Sequence, residues 1–222
     1  MKKIRIWDLP TRLFHWALAL CVLGSFISVN VGGLYMQWHA YFGIAILGLI
    51  LFRLIWGFVG THYAKFSQFI KGPKAIKAYL QNPKNEAGHS PIAGLSVVVV
   101  LVFFGFQAIL GLFTTDEIAF DGPLAKYISN EWVDIFSHLH QFNQFILIGI
   151  VVLHVGAIIF YKYIKRINLT QAMLTGDKDS QDMSVDEPIS AKDDGNHQIK
   201  ALVIFLMIAS AFYYIFILRL GT

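Results

Sequence analysis

Cysteine is nearly missing from this chain. Cys21 is the only one in 222 residues, which excludes an internal disulfide and any cluster of thiolate ligands, and without a C-x-x-C-H there is no covalent c-type haem attachment. Charge is scarce as well. Asp, Glu, Lys and Arg make up 14% of the residues and apolar side chains 56%, whereas a soluble domain has about 25% charged and 45–50% apolar residues. A soluble globular fold is therefore excluded, and the apolar excess must face lipid. No repeat period is visible, which removes solenoids and arrays. The net charge of +4 would suggest a nucleic-acid partner only if it were clustered; its placement follows membrane topology instead, and no nucleic-acid partner is expected.

What is present is a series of long apolar runs. Crossing a hydrocarbon core of about 30 Å takes roughly 17–25 mostly apolar residues, and five stretches qualify: about 10–31, 36–60, 92–113, 136–161 and 199–218. Pro10 suits the first turn of the first helix, and Ser90-Pro91 reads as the start of the third. Met1–Arg5 has the basic start of a secretory signal, but the run from Leu13 to Val31 is too long, lacks a small-residue cleavage site and carries His15, so it reads as a retained helix. Lysines and arginines mark the cytoplasmic side. Lys2, Lys3, Arg5 and Arg12 precede the first helix, Lys65, Lys71, Lys74, Lys77 and Lys84 follow the second, and Lys162, Lys165 and Arg166 follow the fourth. The loop Thr114–Ser137 has Lys126 alone against Asp116, Glu117, Asp121, Glu131 and Asp134. The chain is expected in a bacterial cytoplasmic membrane with its N-terminus inside and its C-terminus in the periplasm. The expected organisation is a four-helix domain over 1–166, a flexible acidic cytoplasmic linker over 167–198 with no core of its own, and an extra membrane helix over 199–222.

The stretch "HLHQFNQFILIGIVVLHVG" (138–156) puts three histidines into an apolar helix. His140 and His154 are 14 residues apart; at ~100° and 1.5 Å per residue they share one helix face, ~21 Å apart along the axis. His138 falls on nearly the opposite face and drops out. Ionisable residues inside a membrane are functional candidates, although a single buried histidine is also a common packed polar group. Sorted by depth, His15 near the inner end of the first helix pairs with His154, and His39 near the outer end of the second pairs with His140. Zinc needs three or four protein ligands around one centre; two imidazoles per level suit the axial positions of a porphyrin iron, and closing both axial sites favours electron transfer over oxygen chemistry. Two non-covalent b-type haems per chain are expected, with His15, His39, His140 and His154 as ligands. Arg53, 14 residues after His39, shares its face at the inner level, where it either pairs with a haem propionate or snorkels to the headgroups. Gly43, one turn after His39, admits a flat ring but also serves plain helix packing. His62, His89 and His197 read as surface or capping residues, and Asn143 and Gln107 as possible hydrogen-bonding groups around a ligand.

The segments "IRIWDLPTRLFHWAL", "QWHAYFGIAILGLILFRLIWGFVG", "YAKFSQFIKGPKAIKAYL", "GHSPIAGL" and "LHQFNQFILIGIVVLHVGAIIFYKYIKRINLTQAMLTGDK" resemble the bacterial cytochrome b561 family, which includes the b-type cytochrome subunit of nickel–iron hydrogenases. The similarity runs from about residue 4 to about residue 178. It implies an all-α, antiparallel four-helix membrane bundle around two b haems with axial histidines on helices one, two and four, at positions matched by His15, His39, His140 and His154. It also implies exchange of electrons with the quinone pool and with a periplasmic cytochrome or oxidoreductase subunit. The chain departs from the pattern in having His62 where the family often has Arg, and in its acidic linker and fifth helix.

Three functions compete at this point. The preferred one is a transmembrane electron carrier, with the acidic outer loop as docking surface for a positively charged partner and without catalysis of its own. The second is a self-sufficient oxidoreductase acting on quinone and superoxide or ferric iron. The third is a histidine-lined metal-ion transporter, which the absence of broken helices and inverted repeats disfavours.

Overall fold

The computed structural model describes residues 2–117, 120–184 and 189–219. Parts of the expected outer loop (118–119), acidic linker (185–188) and last helix domain (220–222) lie outside the described residues. In chain order the elements are β1 (Lys3–Arg5), α1 (Leu9–Val31), α2 (Met36–Val59), α3 (Phe66–Phe69), α4 (Pro73–Gln81), α5 (Pro91–Gly111), α6 (Asn130–Tyr163), α7 (Leu169–Thr175), β2 (Asp177–Asp179) and α8 (Gly195–Phe212), the last continued by a π-helical stretch, Tyr213–Arg219. Five helices are long and apolar enough to cross a membrane, so the chain is an all-α, multi-pass membrane protein. Many of their large apolar side chains, such as Leu20, Phe58 and Leu153, are exposed, as expected where lipid replaces a protein core.

The helix starts follow from local chemistry. The Asp8 carboxylate accepts the Thr11 N–H at 2.8 Å, capping α1, while Pro10 has no N–H to satisfy. The Ser90 hydroxyl accepts the Ala93 N–H at 3.3 Å, and Pro91 opens α5 as its sequence predicts. The helix α6 has 34 residues, about 51 Å at 1.5 Å per residue, which exceeds the hydrocarbon thickness. Its first turns, with Glu131 and Asp134, therefore stand beyond the apolar core; their polarity is why hydropathy alone starts this helix at 136.

The chain divides into two compact units. The first comprises Met1–Phe14, Arg53–Val99 and Val151–Val203, and part of the segment expected as a linker forms α7 and β2 within it. Here β1 pairs antiparallel with β2, Arg5 opposite Asp177. Arg5 Nε donates to Asp177 and Nη1 to Asp193, both at 2.6 Å. Asp193 also accepts the Leu9 N–H at 3.0 Å, a second cap on α1, and Arg12 donates to the Leu174 carbonyl at 2.7 Å. The turn between α7 and β2 needs Gly176, whose φ is +88° and where a Cβ would stand 2.6 Å from the Trp7 carbonyl. Met183 closes a small core with Ile4, Ile6 and Ala87. In this unit Asp177 and Asp193 meet Arg5 and Arg12 from the start of the chain. In the same unit Lys200 Nζ donates to the Val59 carbonyl at 3.0 Å, a cation at the C-terminal end of α2.

The second unit comprises His15–Phe52, Val100–Ile150 and Ile204–Thr222. Within it the fifth helix packs on the second. Phe52 and Phe205 meet at 6.5 Å between ring centroids, and a Cβ on Gly48 would lie in ordinary contact with Ile208 and Phe212.

Burial opposes ionisation of Asp193, but the Leu9 N–H, the Gln198 amide and Arg5 outweigh it and hold the carboxyl below its ordinary range. A depressed carboxylate stabilises the fold above the unfolded value of about 3.9, and that contribution is lost as pH falls through the folded value. Asp193→Ala should cost about 1–2 kcal/mol and speed proteolytic cleavage within 177–193 at pH 7; at pH 3 the two proteins should be cut at similar rates. Equal cleavage at pH 7 would show that Asp193 does not hold this segment.

Candidate functional site

In the second unit, α2 and α6 bring His39 and His140 together, with ring centroids 6.1 Å apart and planes at 82°. Each ring is tied down through Nδ1. His39 Nδ1 lies 3.0 Å from the Ser25 carbonyl and 3.0 Å from the Ser25 hydroxyl, and His140 Nδ1 lies 3.1 Å from the Gln107 carbonyl. A carbonyl oxygen can only accept, so in both rings Nδ1 carries a proton, and in the neutral imidazole Nε2 is then the lone-pair nitrogen. That is the tautomer a metal-ligating imidazole takes when its other nitrogen is anchored to a carbonyl.

The spacing fits a flat metallocycle between the two rings. With metal–imidazole bonds of about 2.0–2.1 Å on opposite sides of one ion, ring centroids fall roughly 6 Å apart, as they do here. Beside His39, one turn along α2, a Cβ on Gly43 would meet nothing within 4 Å, so space is open there. On α5 a Cβ on Gly111 would stand 3.0 Å from His140 Cε1, so glycine lets the imidazole edge lie close to that helix. Among the described residues no three His, Cys, Asp or Glu side chains gather as a structural or catalytic zinc centre would require; the donors come as an imidazole pair.

Two amides surround His140. Gln107 Nε2 donates to the His140 carbonyl at 3.1 Å, and Asn143 Nδ2 donates to Gln107 Oε1 at 2.8 Å. Their residue types hint at polar contacts, but only the register of α5 against α6 shows whom they serve. His15 is half-buried in α1 with its ring edge-on to Trp16, centroids 5.0 Å apart. His154 and His138 sit at exposed positions on α6.

In the first unit, Arg53 is 2% exposed. Its guanidinium carbon lies 5.0 Å from the Phe66 ring centroid and 5.8 Å from that of Phe69, and its Nη1 is buried without a hydrogen-bond partner among the described residues. Asp8, the nearby carboxylate, is already engaged by Thr61 Oγ1 at 2.6 Å and Trp56 Nε1 at 3.1 Å. An orphaned, buried cation fits an acidic group arriving from a ligand. The same unit encloses His89, which sequence reasoning left as a surface residue. Its ring lies 4.6 Å from both Trp7 and Phe69, and burial, followed by the charge of Arg53, pushes its pKa down to about 3. His89, His62, Tyr63, Lys71, Glu86 and Ile189 help line a cleft of about 270 Å³.

A profile of prokaryotic cytochrome b561 matches residues 6–176. The chain belongs to the prokaryotic cytochrome b561 family. No curated protein and no solved structure matches it. This cytochrome is a b-type, haem-binding electron carrier of the membrane, as its family and its five spans require. The matched region covers α1 to α7, and with them every histidine read above as a ligand; α8 lies beyond it.

His39→Ala and His140→Ala should each lower haem per chain by one equivalent, while His138→Ala leaves it unchanged. Haem quantification on the purified variants checks this, and full haem content in both of the first two would rule the pair out as ligands.

Proposed function

We propose that this cytochrome holds two b haems and carries electrons across the bacterial cytoplasmic membrane between the quinone pool and a periplasmic redox partner. The observation that supports it best is the pair of imidazoles 6.1 Å apart, each with Nδ1 anchored to a backbone carbonyl. His39 and His140 are the ligands of the periplasmic-side haem. His15 and His154 are the ligands of the cytoplasmic-side haem, a pairing that rests on helical phase and depth in the sequence. When bound, each haem supplies a one-electron iron couple. Two imidazoles for each haem would leave no coordination site for a substrate, which suits a carrier.

The other residues divide the remaining tasks. Arg53, buried with a free Nη1, receives a propionate of the cytoplasmic-side haem, so that two charges which would each be costly to bury alone compensate one another. The cleft beside His89 takes the quinone head group. Its Tyr63 and Phe69 walls suit a flat ring, and His62, Gln68 and His89 offer polar partners to the carbonyls. The stretch 114–137, the loop together with the first turns of α6, has five acidic residues; it faces the periplasm and steers a partner that presents positive charge. The N-terminus lies in the cytoplasm and the C-terminus in the periplasm, as the lysine-rich loops require.

The purified protein should contain two haems per chain; one haem, or none, would end this reading. Arg53→Leu should lower the potential of the cytoplasmic-side haem by the equivalent of about 1 kcal/mol, and a redox titration showing equal shifts in both haems would argue against the propionate contact. His89→Phe keeps the aromatic packing but removes the ring nitrogens, and should raise the KM for quinone about tenfold, one hydrogen bond's worth, with haem content unchanged. An unaltered KM would move the quinone elsewhere.

A further inference from the structure

We infer that Gln107 and Asn143 are positioning residues for His140, fixing its ring and its donor strength and so holding down the potential of the haem it ligates. This rests on the reading of His39 and His140 as haem ligands. The observations behind it are the reciprocal bonds between α5 and α6 at one level. His140 Nδ1 donates to the Gln107 carbonyl, and Gln107 Nε2 donates back to the His140 carbonyl, each at 3.1 Å. One residue thus holds both the imidazole and the backbone from which it projects.

Asn143, in turn, holds Gln107. It is 2% exposed, and its Nδ2 donates to Gln107 Oε1 at 2.8 Å and to the Phe103 carbonyl at 3.2 Å. Because the Phe103 carbonyl only accepts, the orientation of the Asn143 amide is fixed, and with it that of Gln107, whose oxygen must face Asn143 and whose nitrogen must face His140. The arrangement leaves Asn143 Oδ1 buried without a partner among the described residues. A buried, unpaired acceptor costs stability, and a leucine of similar size would avoid that cost. Packing alone gives no reason for an asparagine here; orienting the amide that holds the His140 main chain does.

The chemical consequence has a sign. A ligand imidazole whose Nδ1–H is held by an acceptor is a stronger donor to the metal, and a stronger donor favours the ferric over the ferrous state. Losing the Gln107 side-chain bond frees the His140 backbone, which lengthens the contact of Nδ1–H with the Gln107 main-chain carbonyl and raises the potential of that haem alone.

The test uses the full-length protein in nanodiscs, with Asn143→Leu and Gln107→Met as near-isosteric variants. In each, redox titration should find the haem that is lost in His140→Ala shifted positive, with about a tenfold higher ratio of reduced to oxidised form at a fixed ambient potential, equivalent to 59 mV for a one-electron couple. The low-temperature EPR signal of that haem should move as well, with haem content and the second haem unchanged. Wild-type potentials and signals in the variants would overturn the proposal, as would equal shifts of both haems, which indicate a general loosening. If Asn143→Leu does not assemble, Gln107→Met carries the same two outcomes. Undiminished haem in His39→Ala and His140→Ala would instead defeat the ligand assignment.

Discussion

An imidazole held inside a membrane must give its N–H to something, because lipid offers no acceptor. In this cytochrome the Ser25 carbonyl and the Gln107 carbonyl take those protons from His39 and His140. That requirement fixes which nitrogen is bare, where each ring sits, and how α1 and α5 must be registered against α2 and α6 in the second unit. The residues that hold the two imidazoles in this unit are therefore as specific to the site as the histidines themselves. Ser25, Gln107 and Asn143 are parts of one solution to the problem of keeping neutral histidines in place where water is absent.

Buried charge is treated differently in the first unit. Arg53 lies among the Phe66 and Phe69 rings, and Asp8 is saturated by Trp56, Thr61 and the Thr11 N–H. The carboxylate is fully compensated, whereas the guanidinium keeps an unused donor. His89 nearby stays neutral well below physiological pH, under burial and the same arginine. A buried cation with one unused donor beside a neutral base, next to a cleft with aromatic walls, is an arrangement suited to an acidic or carbonyl-bearing guest.

Much of this was legible in the sequence because it is written in short-range periodicities. The five spans follow from hydropathy, the start of α5 from Ser90-Pro91, and the approach of His39 to His140 from helical phase and depth. Gln107 and Asn143 were legible only as polar residues in apolar helices, since their meaning depends on the rotation of α5 against α6, and nothing local encodes that. The contacts of the acidic segment are hidden from the sequence for a related reason. Its composition is that of a solvated linker, but Arg5, which binds Asp193, lies 188 residues earlier. His89 was read as a surface residue because its neighbours Trp7 and Phe69 come from distant parts of the chain.

The clasp that joins Arg5 to Asp177 and Asp193 also carries information about timing. Those carboxylates are synthesised after four membrane helices, so β1 has no strand to pair with, and Asp193 cannot supply its cap to α1, until the ribosome has passed them. Closure of this short ladder is therefore a late event in biogenesis, and a chain stalled or truncated before residue 177 would leave Arg5 without either of its carboxylate partners.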